Sequence, residues 1–187
     1  EDYFSDRTIE DADLLYTGQN RFITASTSYD QNVQTVAAPD LGAFVSSIDL
    51  STTFPTPTGG TGVNAASIGI DCQLDPNAIR VSGSLLGAGG LAVTGAGSSL
   101  QMAEARVSLA IDFHLDTESP FSLFSSPRVS TRPGDRFKIK LRDRGTHTDL
   151  FFLDESSPPQ LVDLQGLMGA GDFTLELDPI NQTWRAL

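Results

Sequence analysis

The chain has 187 residues, 39% hydrophobic and 19% charged, with a formal net charge of −12. Its length suits one domain with a sizeable core, and its acidity repels nucleic acid and anionic lipid, so no nucleic-acid partner is expected. One cysteine, Cys72, excludes an intrachain disulfide and a cysteine-based metal cluster, while 17 glycines, 10 prolines and abundant Ser and Thr favour strands joined by turns.

The first sixteen residues, EDYFSDRTIEDADLLY, hold six acids (Glu1, Asp2, Asp6, Glu10, Asp11, Asp13) and one base, Arg7. Thr8 with Asp11 suits the cap of one helical turn, with Ile9, Leu14 and Leu15 on its apolar side. Residues 1–20 are read as a short acidic N-terminal arm or helical turn, outside a single domain of residues 21–187. A chain that begins at Glu1, without a methionine, reads as a mature protein whose leader was removed. No apolar run of 18 residues is present, so no membrane span is expected in this chain.

From Arg21 onward apolar residues recur with period two. Strands are expected at 21–29, 33–38 and 43–50, and a turn at 55–62. In 66–74, Ala66, Ile68, Ile70, Cys72 and Leu74 alternate with Ser67, Gly69, Asp71 and Gln73. Cys72 therefore lies in the inward register, a buried and inert thiol. After a turn at 75–77, Ile79, Val81 and Leu85 continue the alternation. The run 87–97, GAGGLAVTGAG, imitates part of a dinucleotide fingerprint, but no helical pattern follows, and it reads as a hairpin loop.

The strongest element is 101–115, QMAEARVSLAIDFHL, with apolar residues at seven consecutive odd positions. At full extension it runs on the order of 45 Å, so a bend or bulge is expected partway. His114 stands between Asp112 and Asp116 on its outward face. An i, i+2 pair on one strand face can hold a metal, which makes Asp112 and His114 metal candidates, although three residues along an extended strand do not reach one ion. Strand 120–125 follows.

Seven of the 12 bases fall in 128–144: Arg128, Arg132, Arg136, Lys138, Lys140, Arg142 and Arg144. Arg136, Lys138, Lys140 and Arg142 alternate with Phe137, Ile139 and Leu141 and so occupy one outward strand face. Three readings fit this basic stripe. It can protect an edge strand from unwanted pairing, capture an acidic glycan, or dock the acidic arm through Asp6, Glu10, Asp11 and Asp13. Strand 147–153 places His147 beside Asp149, and Asp154 with Glu155 is the first choice for a calcium site, without an EF-hand loop. Turns at 156–159 and 169–171 lead to strands 173–177 and 182–187. The Asn181-Gln182-Thr183 sequon carries no weight in a strand.

No nucleophile elbow, His-Glu-x-x-His or Walker loop is present. Abundant acids alone do not define a glycosidase pair. With no nucleophile–base pair legible, the chain is not expected to be an enzyme, and no cofactor is expected beyond calcium. Ten to twelve strands punctuated this way predict an all-β fold of two antiparallel sheets, a jelly-roll-like β-sandwich.

The stretch 106–124, RVSLAIDFHLDTESPFSLF, resembles the F-x-V-x-F-x-L-x-x-P-x-x-F-x-L run of exosortase-sorted, PEP-CTERM-type surface proteins of Gram-negative bacteria. The segment 168–177, MGAGDFTLEL, is similar to their L-x-P-G-x-Y-T-L-x-V strand, with Phe173 in the aromatic position. The likeness covers about residues 80–187. It implies export to a bacterial surface, a jelly-roll-like ectodomain and no catalytic residues. Residues 1–187 contain no Pro-Glu-Pro motif. The leading expectation is a secreted or cell-surface structural or adhesive protein that assembles with its own copies. A carbohydrate-binding module for extracellular polysaccharide is the alternative, and a glycan-active enzyme ranks last. With Trp184 the one tryptophan, a sugar-stacking platform is hard to assemble.

Overall fold

The computed structural model describes residues 2–9, 14–27, 32–55, 61–91, 100–125, 135–154 and 162–186. Among them lie thirteen strands and no helix: β1 (Asp2–Ile9), β2 (Leu15–Thr27), β3 (Asn32–Ala37), β4 (Phe44–Pro55), β5 (Thr61–Asp75), β6 (Ala78–Leu91), β7 (Leu100–Leu115), β8 (Ser119–Ser125), β9 (Lys138–Asp143), β10 (Thr148–Asp154), β11 (Val162–Met168), β12 (Gly171–Leu177) and β13 (Ile180–Ala186). They form two antiparallel sheets. One has six strands in the order β11-β8-β1-β6-β5-β4. The other has seven, in the order β10-β9-β12-β7-β2-β3, with β13 also paired to β7.

The inward positions of both sheets enter one buried cluster. Ile23, Val107, Ile111, Phe113 and Leu141 come from the seven-stranded sheet, and Ile48, Ile68, Cys72, Ile79 and Val81 from the six-stranded one. Phe113 and Phe173 stack across β7 and β12 with ring centroids 5.6 Å apart. Cys72 is fully buried, in the register its alternation requires. Burial pushes its thiol pKa up, against the opposing pull of the Arg21 guanidinium beside it.

The long odd-position strand exists as β7, and it is the spine of its sheet. Along one edge it pairs with β2 from Ala103 to His114. Along the other, β12 covers Leu109–Leu115 and β13 covers Leu100–Arg106. The expected irregularity falls on its partners. β2 shifts register between Tyr16 and Gly18, and β12 gives way to β13 at Asp178 and Pro179. There the Asp178 carboxylate accepts two hydrogen bonds from Arg106, at 3.0 and 3.1 Å.

Three expectations are corrected. Residues 2–9 are neither an outlying arm nor a helical turn, because β1 lies inside the six-stranded sheet between β6 and β8. Residues 15–20 belong to β2, so the boundary at residue 20 cuts through a paired strand. Residues 87–91 extend β6 along β5, with Ala88 opposite Ala65 and Gly87 opposite Ala66, rather than opening a hairpin loop. Backbone pairing suffices where both strands carry small residues. The remainder of that run, 92–99, lies outside the described residues. β11 had no expected counterpart, since Gly166 interrupts its inward row between Leu164 and the buried Met168. A β-carbon at Gly166 would meet the Phe121 ring at 3.1 Å, a tight contact at which the ring would have to give by a few tenths of an ångström.

Candidate functional site

The outward face of the seven-stranded sheet carries a ladder of charged cross-strand pairs. Register makes it. Glu176 on β12 lies opposite Lys140 on β9 and Thr174 opposite Arg142. On the other side of β12, Asp172 lies opposite His114 and Thr174 opposite Asp112, both on β7. On β10, Asp149 lies opposite Arg142. Side chains directly opposite in an antiparallel pair share a face and reach one another.

The contacts follow from that placement. Glu176 holds Lys138 at 2.7 Å and Lys140 at 3.3 Å. Partial burial pushes the Glu176 carboxyl pKa up, but the Lys138 hydrogen bond and the two lysine charges outweigh it and leave it below the usual range. Arg142 Nε donates to Asp149 Oδ1 at 2.7 Å, which lowers the acid and raises the base. Thr174 Oγ1 donates to Asp112 Oδ1 at 2.5 Å, and Arg144 stands 3.5 Å from the other oxygen of the same carboxylate. Gly18 leaves room for this carboxylate, since a β-carbon there would sit 3.2 Å from Oδ2. His114 Nδ1 is 2.8 Å from Asp172, and its Nε2 is 3.4 Å from Asp116.

The turn between β9 and β10 projects over this ladder. Asp143 Oδ1 accepts the backbone N–H of Thr146 at 3.1 Å and of Gly145 at 2.8 Å, which holds its carboxyl below the ordinary value. His147, at φ 56°, occupies the left-handed region that closes the turn. Together Thr17, Arg142, Arg144, Gly145, His147, Asp172, Thr174 and Glu176 line an open groove of ≈ 630 Å³. Leu15, 58% exposed and opposite His114, flanks the ladder on one side. Phe152, 51% exposed and opposite Lys140, flanks it on the other.

Of the expected site residues, Asp112 and His114 do share this face; Asp112 meets Thr174 and Arg144, and His114 meets Asp172 and Asp116. A guanidinium at 3.5 Å from the Asp112 carboxylate opposes a cation there. Among the described residues no group of three or more His, Cys, Asp or Glu is placed to hold a metal ion. Asp154 ends β10 opposite Lys138, and Glu155 lies outside the described residues. In the basic stripe, Lys138, Lys140, Arg142 and Arg144 meet Glu176, Asp149 and Asp112 of the same chain. Arg136 bridges to Ile180 through its backbone. Arg128 and Arg132 lie outside the described residues, as do Glu10, Asp11 and Asp13 of the acidic segment. Asp6 lies in β1, opposite Val81, in the other sheet. The expected strand 173–177 contains Thr174 and Glu176, but the sequence gave no sign that β12 sits between β7 and β9. That placement turns scattered polar residues into one site.

Protein-family models, curated proteins and solved structures were all compared with the chain, and nothing matched.

Proposed function

We propose that this chain is a non-catalytic, adhesive protein of the bacterial cell exterior, a jelly-roll-like β-sandwich that holds acidic polysaccharide on the outer face of its seven-stranded sheet. The observation that carries the binding role is the groove beneath the β9–β10 turn, where Arg142 and Arg144, 39% and 48% exposed, stand beside hydroxyl and carboxylate side chains. A guanidinium is a planar fork of five N–H donors that matches a carboxylate. Arg142 directs Nε to Asp149 and lines the groove, and the rest of its fork is the proposed donor to the ligand. Thr17, Thr174 and Asp172 supply acceptors and donors for sugar hydroxyls. Recognition rests on these charged forks, in keeping with a chain that has one tryptophan.

The sandwich reading is supported by the single buried cluster fed from both sheets. The roll is supported by the path of the chain, which changes sheet at β1–β2, β3–β4, β6–β7, β7–β8, β8–β9, β10–β11 and β11–β12. The surface location rests on the resemblance of residues 106–124 and 168–177 to exported surface proteins. The test is affinity electrophoresis of the purified protein in gels containing polygalacturonate or, separately, neutral dextran. Polygalacturonate should retard the protein and dextran should not. The double variant Arg142→Ala/Arg144→Ala should weaken retardation about tenfold or more, the scale of one lost charge-assisted hydrogen bond. Equal retardation by both polymers, or an unchanged double variant, overturns the reading.

A further inference from the structure

We propose that Phe152 is the flat platform of a second sugar subsite, one that takes the unit next to the unit held by Arg142 and Arg144. The inference rests on the acidic-polysaccharide reading of the groove and extends it from a single unit to a run of chain. Among the side chains the structure describes, Phe152 is the one exposed aromatic ring, at 51%. It stands on the end strand of the seven-stranded sheet, on the face that carries the groove.

A register shift puts it there. Strict alternation along β10 would hold Asp149, Phe151 and Leu153 on one face and turn Phe152 to the other. Instead Asp149 lies opposite Arg142 and Phe151 opposite the buried Leu141, so Leu150 is an extra residue in the ladder. Beyond it the phase is reversed. Leu153, 5% exposed, turns inward opposite Ile139, and Phe152 turns outward on the same face as Asp149. Bulges re-aim side chains in this way, and they are common beside active sites. The irregularity that keeps Asp149 on Arg142 thus also brings an apolar ring to a charged face.

The surroundings of the ring match a sugar. Lys140 lies directly opposite Phe152. Its side chain is 12% exposed, with the ammonium 3.3 Å from Glu176 and 3.9 Å from Asp149. Glu176 lines the groove, so the row Phe152–Lys140–Glu176 leads from the ring straight into it. Arg142 is the diagonal neighbour of Phe152 across β9 and β10, a separation of about 7–8 Å between backbone positions. Successive units of one polysaccharide chain bridge such a gap. A pyranose has a face of C–H groups and a rim of hydroxyls. The face loses water against the Phe152 ring, while Asp149 and the Lys138 ammonium, its side chain 36% exposed, serve the rim and a ring carboxylate. An apolar peptide would leave these charges unmatched, so the saccharide is the occupant that the charges favour.

The test compares a ligand that fills both subsites with one that fills only the groove. Titration calorimetry measures binding of tetragalacturonate, and chemical-shift titration measures binding of galacturonate monosaccharide. Phe152→Ala should weaken tetragalacturonate binding about threefold to tenfold, the scale of one aromatic stacking contact, and leave the monosaccharide unchanged. Phe152→Tyr should bind as the parent does, and Phe152→Leu, apolar but not flat, should resemble Phe152→Ala. Should Phe152→Ala fail to fold, the contrast between Tyr and Leu reads the same contact. Added salt should weaken every one of these proteins while the ratio of parent to Phe152→Leu holds, because the charged forks are screened and the ring is not. A parent that binds tetragalacturonate no better than Phe152→Ala or Phe152→Leu overturns the subsite and leaves the groove reading standing. A parent that binds neither tetragalacturonate nor polygalacturonate overturns both.

Discussion

Arg21 and Arg142 belong to the same sheet and face opposite ways. Arg21 points inward from β2 and is 1% exposed. Its guanidinium donates to the carbonyl oxygens of Asp40 and Gly42, the latter at 2.8 Å, and to Gln19 Oε1 at 3.2 Å, and it lies 5.9 Å from the centroid of Phe44. Arg142 points outward and meets the carboxylate of Asp149. The inner arginine thus has uncharged acceptors, two backbone carbonyls and one side-chain amide oxygen, and it fixes the connection between β3 and β4 to the core. The outer one has a charged acceptor, screened by water, and is partly exposed. One residue type anchors a connection to the core on one face and joins a surface ion pair on the other, and the acceptor decides which.

The largest expected effect tests the inner half of that contrast. Arg21→Ala removes hydrogen bonds to a charged donor and leaves a cavity beside Phe44, at a cost of about 3 kcal/mol or more. Urea melts read the cost, and the thiol of Cys72, 3.5 Å from the Arg21 guanidinium, should become accessible to a labelling reagent. Arg21→Lys should recover only part of the loss, because one ammonium does not span two carbonyls and a ring face. Arg142→Ala should leave the urea midpoint within scatter of the parent while weakening polygalacturonate binding. If Arg21→Ala melts like Arg142→Ala, the buried guanidinium is not the anchor described.

A smaller effect belongs to Tyr16, whose hydroxyl is held by the carbonyls of Asp75 and Ala78. It ties the start of β2 to the β5–β6 turn, as does the Leu14 N–H bonded to the Pro76 carbonyl. Tyr16→Phe should cost about 1–2 kcal/mol. Burial, then the charge of Asp75, pushes the phenol pKa above its ordinary 10.0. The unfolded phenol therefore ionises first, and stability falls as pH climbs beyond 10.0. The Phe variant should lose less over that range, and equal alkaline loss in both proteins would remove Tyr16 from the account.

These residues show why the fold was more legible than the site. Period-two alternation marks β5, β7, β9 and β12 directly, because a buried face imposes it on local sequence. Arg21 broke that rule silently. It stands in the inward register of an otherwise apolar strand, and only the carbonyls of residues 40 and 42, distant in sequence, explain it. β1 was misplaced because six acids among sixteen residues suggested solvent, whereas backbone pairing to β6 and β8 sets its place. The groove was illegible for the same reason. Which strands are neighbours depends on chain crossings that no local pattern encodes, so Asp172 could not be assigned to His114 nor Glu176 to Lys138.

The smallest expected effect concerns Glu176, and it separates charge pairing on the outer face from packing beneath it. Two lysines hold its carboxyl below the ordinary value of 4.5. A depressed acid contributes stability above its unfolded pKa and loses it as pH falls through the folded one, since protonation ends both lysine contacts. Glu176→Gln keeps the size and the outward position but never carries the charge. At neutral pH the variant should be less stable by below about 1 kcal/mol, the scale of a partly exposed ion pair. On acidification the parent should lose that margin, and the two urea midpoints should converge below the ordinary carboxylate range. Added salt at neutral pH should narrow the gap, because half-exposed pairs are screened. Parallel midpoints from pH 7 to pH 3 would mean that Glu176 holds β12 against β9 through its stem rather than its charge. The ladder would then be packing with charges at its rim.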